Sequence, residues 1–374
     1  MTDARWAWAE IDLYAIRHNT RSILAILDSP TTLMAVVKAD GYGHGAVQVA
    51  RAALQAGATR VGVATVREAV ELRAADITAP IYILSEPPES AIHTLLDHGI
   101  IPTVTRPDFL NALSGEATLR GTRARYHLKV DTGMHRIGVQ PEDAVAVLTE
   151  ASHLPSIELE GVFTHFATAD VYGDWEASAQ LARFVDVIAA IRAAGINPGI
   201  VHAANSPATI LMPETHFDMV RTGLALYGFY PSEECGDKVD LVPAMSVKAR
   251  ATLVKTLSIG EGVSYGFTWR AFQPTDVVTL PIGYADGLPR IASNKLEALV
   301  YGTRVEQVGR VCMDQTMFAV TPGEIAHGAE FTLIGEQGSD RILMDEISAA
   351  SETITYETTC AFGRRLERVY LNER

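Results

Sequence analysis

Lys38 follows the apolar run Leu33-Met34-Ala35-Val36-Val37 and opens the segment Lys38-Ala39-Asp40-Gly41-Tyr42-Gly43-His44-Gly45. An amine at a strand end, followed by a flexible loop that carries a phenol, is the arrangement of a Schiff-base lysine. Burial that lowers its pKa makes such an amine a nucleophile toward a carbonyl cofactor such as pyridoxal phosphate. The glycines let backbone approach a ligand closely. A plain strand-end lysine, with its stem on apolar surface and its amine in water, fits the same local sequence.

Something must hold that lysine in place. Between residue 31 and about 225, short apolar runs at 32–37, 60–64, 81–84, 100–104, 125–130, 159–164, 199–203 and 217–220 alternate with Ala- and Leu-rich helical stretches such as 176–194. Eight runs of this kind predict parallel strands in a (β/α)8 TIM-type barrel, with a doubly wound sheet as the alternative architecture. A barrel gathers its functional groups just past the C-terminal ends of its strands. Lys38 follows the first run, Lys129 lies late in the fifth with Asp131 after it, and His165 follows the sixth. Asn205 and Ser206 follow the seventh run, and Arg221 and Gly223 follow the eighth. The last two loops suit a phosphate: Asn205-Ser206-Pro207 reads as a helix opening with a hydroxyl cap, and Gly223 allows backbone to approach an anion. Ser206 is also read as a plain N-cap.

A chain of 374 residues that is 48% hydrophobic is long enough for two cores. We divide it at 1–240, the barrel, and 241–374, where short Val/Thr/Leu runs punctuated by Gly and Pro predict a mostly β domain. The net charge of -14 and the lack of a long basic run argue against nucleic acid and anionic membrane as partners. No apolar stretch is long enough for a spanning helix, and Met1-Thr2-Asp3-Ala4-Arg5-Trp6-Ala7-Trp8 lacks a hydrophobic signal core, so a cytoplasmic location is expected. Cys235, Cys312 and Cys360 lie far apart and suggest neither a disulfide framework nor a metal site.

The segment 35–45 resembles the cofactor attachment motif of alanine racemases, which are pyridoxal-phosphate enzymes. The likeness continues in order through Lys129-Val130-Asp131-Thr132-Gly133-Met134-His135-Arg136-Ile137-Gly138, Thr164-His165-Phe166-Ala167, and His202-Ala203-Ala204-Asn205-Ser206. Beyond residue 240 it includes Val263-Ser264-Tyr265-Gly266, Gly283-Tyr284-Ala285-Asp286-Gly287, Val311-Cys312-Met313-Asp314-Gln315 and Tyr356-Glu357. The resemblance implies a homodimer of barrel and β domains with active sites shared between subunits. It also implies interconversion of L- and D-alanine, with D-alanine supplied to peptidoglycan.

Racemisation removes a proton from one face of Cα and returns one to the other, so two acid/base groups must flank one carbon. By resemblance these are Lys38 and, from the partner subunit, Tyr265. A phenol releases its proton reluctantly near neutral pH, and the family places the imidazole matching His165 beside this tyrosine, with the guanidinium of Arg221 beyond. Arg221 also matches the group facing the pyridine nitrogen. A guanidinium cannot accept a proton from that nitrogen, which leaves the ring a weaker electron sink and suppresses side reactions such as transamination. A structural arginine paired to Asp218 or Glu214 is the alternative.

The resemblance further assigns cofactor contacts to Tyr42, Leu84, Asn205, Ser206, Gly223, Leu224 and Tyr356, and substrate contacts to Arg136, Met313 and Tyr284. Lys129 matches a position the family often carbamylates, creating an anion that can hold Arg136. Thr355 replaces the family's common proline before Tyr356, a change expected to loosen the turn. Competing readings are a serine or broad-specificity amino-acid racemase, a decarboxylase of the same fold, and a non-catalytic pyridoxal-phosphate carrier. Arg221 and Tyr265 argue against the decarboxylase, and the β domain argues against the carrier.

Overall fold

The computed structural model describes residues 5–171 and 173–373. The chain divides into two compact units: Ala15–Gly41 with Ala46–Val242, and residues up to Tyr14 with Tyr42–Gly45 and everything from Pro243 onward. The N-terminal segment, expected within the barrel, therefore belongs to the β unit. Its strand β1 (Ala7–Asp12) pairs antiparallel with Met245–Arg250 and parallel with Glu367–Leu371. Ala7, Ala9 and Ile11 are buried while Trp8, Glu10 and Asp12 are half-exposed, the period of two of a sheet with one covered face.

Beyond β1 the same sheet continues from Met245–Arg250 through Glu330–Gln337 and Glu297–Val300 to Thr303–Glu306. A second sheet pairs Leu253–Leu257, Thr275–Leu280 and Thr316–Val320. Leu257, Val263, Ala271, Val277, Val308 and Met317 pack into a cluster in this unit.

In the other unit, β2 (Thr32–Val36), β3 (Arg60–Val63), β4 (Ile81–Ile83), β5 (Ile101–Val104), β6 (Ala124–Lys129), β7 (Ile157–Phe163), β8 (Ile200–His202) and β9 (Met219–Thr222) form one parallel sheet. It runs from β8 in descending order to β2 and ends at β9. The seam between β8 and β9 is bridged by Asp218 N–H to Val201 O (3.0 Å) and Arg221 N–H to Ala204 O (3.0 Å). Helices separate the strands, completing the TIM-type architecture. Strands such as β5 are buried at every position, as expected where both faces are covered. Met34, Tyr82, Ile101 and Met219 form a core cluster with Leu84 and Ile200 packed against it.

The eighth barrel strand lies later than its apolar run suggested. Phe217 takes a left-handed φ of 45°, and pairing of Thr32–Ala35 with Met219–Thr222 carries the strand through Arg221. Arg221 is thus a buried strand residue, not a loop residue beyond the strand. A bulge interrupts the β6–β7 pairing: Tyr126 faces Leu159 but His127 faces Gly161, leaving Glu160 unmatched. Among the described residues no helix is long and apolar enough to cross a membrane.

Gly161 is required by space. A Cβ there would stand 2.4 Å from Ile200 O and 2.6 Å from His127 Cε1. Gly161→Ala should destabilise the protein by about 1–3 kcal/mol through overpacking, read as a lowered thermal midpoint. An unchanged melting curve would show that the bulge relaxes around the methyl group.

Candidate active site

Lys38 opens a tight turn, Lys38–Tyr42, in which Ala39 (φ 53°), Asp40 (φ 53°) and Gly41 (φ 61°) are all left-handed. Residues with a Cβ adopt that conformation at a cost of roughly 1–2 kcal/mol each, so other contacts must hold the turn. Glu68 supplies one: its Oε1 accepts the Ala39 N–H at 2.8 Å while its Oε2 accepts Ala64 N–H (2.8 Å) and Thr65 N–H (3.0 Å). Asp40 Oδ1 accepts Ala46 N–H (3.1 Å), and Gly41 N–H donates to Val37 O (2.9 Å). Tyr227 anchors the preceding strand by donating to Val36 O at 3.0 Å. The residue after the lysine is thereby pinned to the end of β3. Glu68 is visible in sequence as the N3 member of the capping box begun by Thr65, but not its reach to Ala39.

Arg221 lies at the centre of the second group. It donates through Nη2 to Thr164 O (2.8 Å) and Ala203 O (2.8 Å), meets His165 Nδ1 at 3.1 Å, and through Nη1 reaches His202 Nδ1 at 2.9 Å. Among the described residues it forms no ion pair; Asp218 instead accepts Val201 N–H at 2.8 Å. Burial lowers its pKa to about 9. His165 is pushed well below the usual imidazole range by burial and by the positive charges of Arg221, Lys129, Arg136 and Lys38. Its Nδ1 accepts from Arg221, so its proton resides on Nε2. Lys129 ends β6 over the Phe163 ring, and burial, followed by Arg221 and Arg136, lowers its amine to about 7. Four cationic side chains thus act on one half-buried imidazole at the strand ends. Such an excess of positive charge suits an anionic ligand.

The loop bearing Arg136 is shaped by Asp131, whose Oδ1 accepts Gly133 N–H (3.1 Å) and His135 N–H (3.0 Å). Gln180, not singled out from sequence, ties this loop to His165: it donates to His165 O (3.0 Å), lies 3.4 Å from Thr132 Oγ1 and accepts Ala167 N–H (2.9 Å). On the opposite flank Asn205, not Ser206, caps the helix Ser206–Leu211, accepting Ala208 N–H at 3.2 Å. Ser206 is freed for another contact, and its Oγ accepts Gly223 N–H at 3.0 Å. Leu224 is buried behind this pair, and Leu84, half-buried, follows β4. Hydroxyl, amide and backbone donors beside a guanidinium fit the phosphate and ring of the cofactor that Lys38 suggests.

The remaining candidates lie in the β unit. Tyr265 is 71% exposed, on a turn between the paired Gly262–Val263 and Trp269–Arg270. Ser264 fastens that turn by donating to Arg310 O (2.8 Å). Tyr265, Phe267 and the half-exposed Met313 line one open cleft. Tyr284 N–H bonds Cys312 O (2.9 Å) and Ala285 N–H bonds Met313 O (3.1 Å), joining the Tyr284 and Met313 loops. Buried Asp286 secures them, pairing with Arg5 at 2.6 Å and accepting Gly283 N–H at 2.9 Å. Tyr42 and Tyr356 form a tilted pair at 6.3 Å, with the Tyr42 phenol pushed upward by burial and by Tyr356. The turn at Thr355 is not loosened: its hydroxyl bonds Asp345, a contact proline cannot make.

Glu68→Ala should leave the left-handed turn without its main tether. We expect a loss of about 1–3 kcal/mol of stability and faster hydrogen exchange at the Ala39 amide. Unchanged exchange at Ala39 would remove Glu68 from the support of Lys38.

Family models described as the alanine racemase N-terminal and C-terminal domains match residues 11–231 and 244–370. An alanine racemase of Desulfovibrio desulfuricans is 46% identical over 368 residues, covering 98% of each chain. Among solved structures, an alanine racemase of Clostridium difficile aligns with a TM-score of 0.94 at 37% identity, over 99% of this chain and 97% of that one. A histidine racemase from Leuconostoc mesenteroides aligns with a TM-score of 0.92 at 30% identity, over 99% of both. With both family domains matched in sequence order and a relative 46% identical over nearly its whole length, the chain belongs to the alanine racemase family.

Proposed function

We propose that the protein is a pyridoxal-phosphate-dependent alanine racemase, working as a homodimer. The observation that carries this reading is the buried Arg221, bonded to His165 at 3.1 Å beside the Lys129 strand end, in a chain that matches both family domains. When bound, the cofactor supplies an aldehyde to capture the amino acid and a ring that delocalises the electron pair left at Cα. The residues of the chain handle orientation and protons. Lys38 holds a proton at Nζ on one face of Cα, and Tyr265 of a second copy holds one at its phenol oxygen on the other. His165, protonated on Nε2, offers that phenol a donor. Arg221 faces the ring nitrogen with N–H groups alone and leaves it unprotonated. Arg136 and the backbone of Met313 orient the substrate carboxylate, and Tyr284 lines the entrance.

The second copy is supported by Tyr265, Phe267 and Met313 lying uncovered together, an apolar face of the kind that marks an interface. On this reading the enzyme works in the cytoplasm and supplies D-alanine for peptidoglycan. A histidine racemase shares the fold, so the fold alone does not select the substrate side chain.

The direct test follows the circular dichroism of L-alanine after adding protein and pyridoxal phosphate. Decay to zero with alanine intact is expected; a persistent signal, with decay for serine or histidine instead, overturns the choice of alanine. Tyr265→Phe should keep its cofactor yet lose racemisation by about 10²–10⁴-fold, the usual contribution of a positioned acid/base group. Mixed dimers of Lys38→Ala and Tyr265→Phe subunits should regain activity, because one of their two sites is intact. Failure to recover would count against a shared site.

The Lys129 amine, lowered to about 7, is about half uncharged at neutral pH and increasingly so above it, and its uncharged form can attack CO2. The new N–C bond forms as a proton leaves, giving a carbamate anion for Arg136 to meet. Protein equilibrated with 13C-bicarbonate should show a carbamate carbon signal, strengthening as pH rises through 7 and missing in Lys129→Ala. A wild-type spectrum without it would leave Lys129 an amine.

A further inference from the structure

Behind Arg221 runs a row of buried polar groups that the proposed reaction does not use. Arg221 Nη1 meets His202 Nδ1 at 2.9 Å, and His202 Nε2 lies 2.7 Å from His127 Nδ1. His127 Nε2 has no hydrogen-bond partner among the described residues, and Glu160 Oε2 stands 3.9 Å from it. Both imidazoles are fully buried. Burial and nearby arginines push both well below the usual range, so each carries a single proton.

Where those protons sit follows from the ends of the row. A guanidinium only donates and a carboxylate only accepts. Arg221 occupies the lone pair on His202 Nδ1, so the His202 proton is on Nε2. That proton points at His127 Nδ1, which must accept it, so the His127 proton is on Nε2 and faces Glu160. The opposite order would set two N–H groups against each other at the Arg221 contact. Only one arrangement satisfies both hydrogen bonds of the row and turns its last N–H toward the Glu160 carboxylate 3.9 Å away, and it draws negative charge toward the guanidinium.

Neighbouring rings pack against both imidazoles, whose planes cross at 65°. Phe163 stacks on His202 at 4.7 Å and 5°, and Tyr82 packs edge-on against His127 at 4.5 Å. Glu160 is the unmatched residue of the β6–β7 bulge, and its other oxygen, Oε1, pairs with Arg125 Nη1 at 3.2 Å. Tyr82 accepts from Arg60 Nε at 3.2 Å.

We propose that Glu160 is a positioning residue for Arg221: its carboxylate charge, 3.9 Å from His127 Nε2, orients the His127–His202–Arg221 hydrogen bonds and through them a buried guanidinium that has no carboxylate partner among the described residues. The role assigned to Arg221 toward the cofactor ring rests on the function proposed above; the proton order does not.

The test uses the full-length protein labelled with 15N-histidine, with signals assigned through a His127→Gln variant. Both residues should appear as neutral Nε2–H tautomers. A proton on His202 Nδ1, or a charged ring at either position, overturns the proposal whether or not the protein racemises alanine. Pyridoxal phosphate affinity, read by absorbance, should fall about 10-fold in Glu160→Leu, as for outer partners that orient a binding group, and be largely kept in Glu160→Gln, which retains an acceptor oxygen. Equal affinity in Glu160→Leu and wild type overturns the proposal. If Glu160→Leu fails to fold, the wild-type tautomers and the Glu160→Gln affinity still decide it. Correct tautomers in a protein that binds the cofactor but racemises no amino acid would overturn the reaction, not the proton order.

Discussion

A guanidinium held inside a barrel without a carboxylate is the constraint on which the rest of the site depends. Removing a charge from water is costly unless its donors find acceptors, and the two Nη atoms of Arg221 meet two carbonyl oxygens and two imidazole nitrogens. Each of those acceptors is fixed by the sheet. Thr164 and Ala203 follow β7 and β8, and the backbone bond from Arg221 to Ala204 closes the seam. The same guanidinium sets the His165 tautomer and depresses the Lys129 amine. A carboxylate at this place would neutralise the arginine but also cancel the positive field that makes the rim suitable for phosphate and carboxylate groups. The protein carries a net charge of -14, so the rim is a local inversion of its overall charge.

The second constraint is conformational. Consecutive left-handed residues after Lys38 are unfavourable, and they persist because Glu68, Asp40 and Tyr227 tie the turn and its strand from separate directions. Strain held in this way fixes where the lysine begins, which on the proposed function sets the face of the substrate carbon that its amine meets. The parallel case in the β unit is Asp286, a buried carboxylate that accepts Gly283 N–H at the Tyr284 turn and pairs with Arg5, which in turn donates to Asp314 O beside Met313. In both units a carboxylate collects the backbone N–H groups or neighbouring cations of the candidate-site loops.

Much of this was legible from residue order. Continuous apolar runs betray strands covered on both faces, and the end of each run places Lys38, Lys129 and His165 without any knowledge of the fold. The missed features share a physical origin. β1 reads as a generic alternating strand, and its partners lie more than 230 positions away, so its membership of the β unit is set by pairing invisible locally. Arg221 falls inside a strand because its neighbour β2 extends the ladder, although a charged residue ordinarily signals a strand end. Ser206 and Asn205 are equally good caps, and only the Gly223 N–H decides between them. His127 and His202 are 75 positions apart and carry no motif that links them.

The distribution of exposure points to the level at which the active site is complete. Arg221 is buried and bonded through both of its Nη atoms, whereas Tyr265, Phe267 and Met313 form an apolar and aromatic face open to water. A side chain that must transfer a proton gains little from water, which would solvate its charged form and weaken every neighbouring dipole. An acid/base phenol on an open face is therefore effective only once that face is covered. On the proposed function, the chemistry that would require Tyr265 and the apolar surface around it call for the same event, association with a second copy, so that catalysis and assembly would both follow from one uncovered surface.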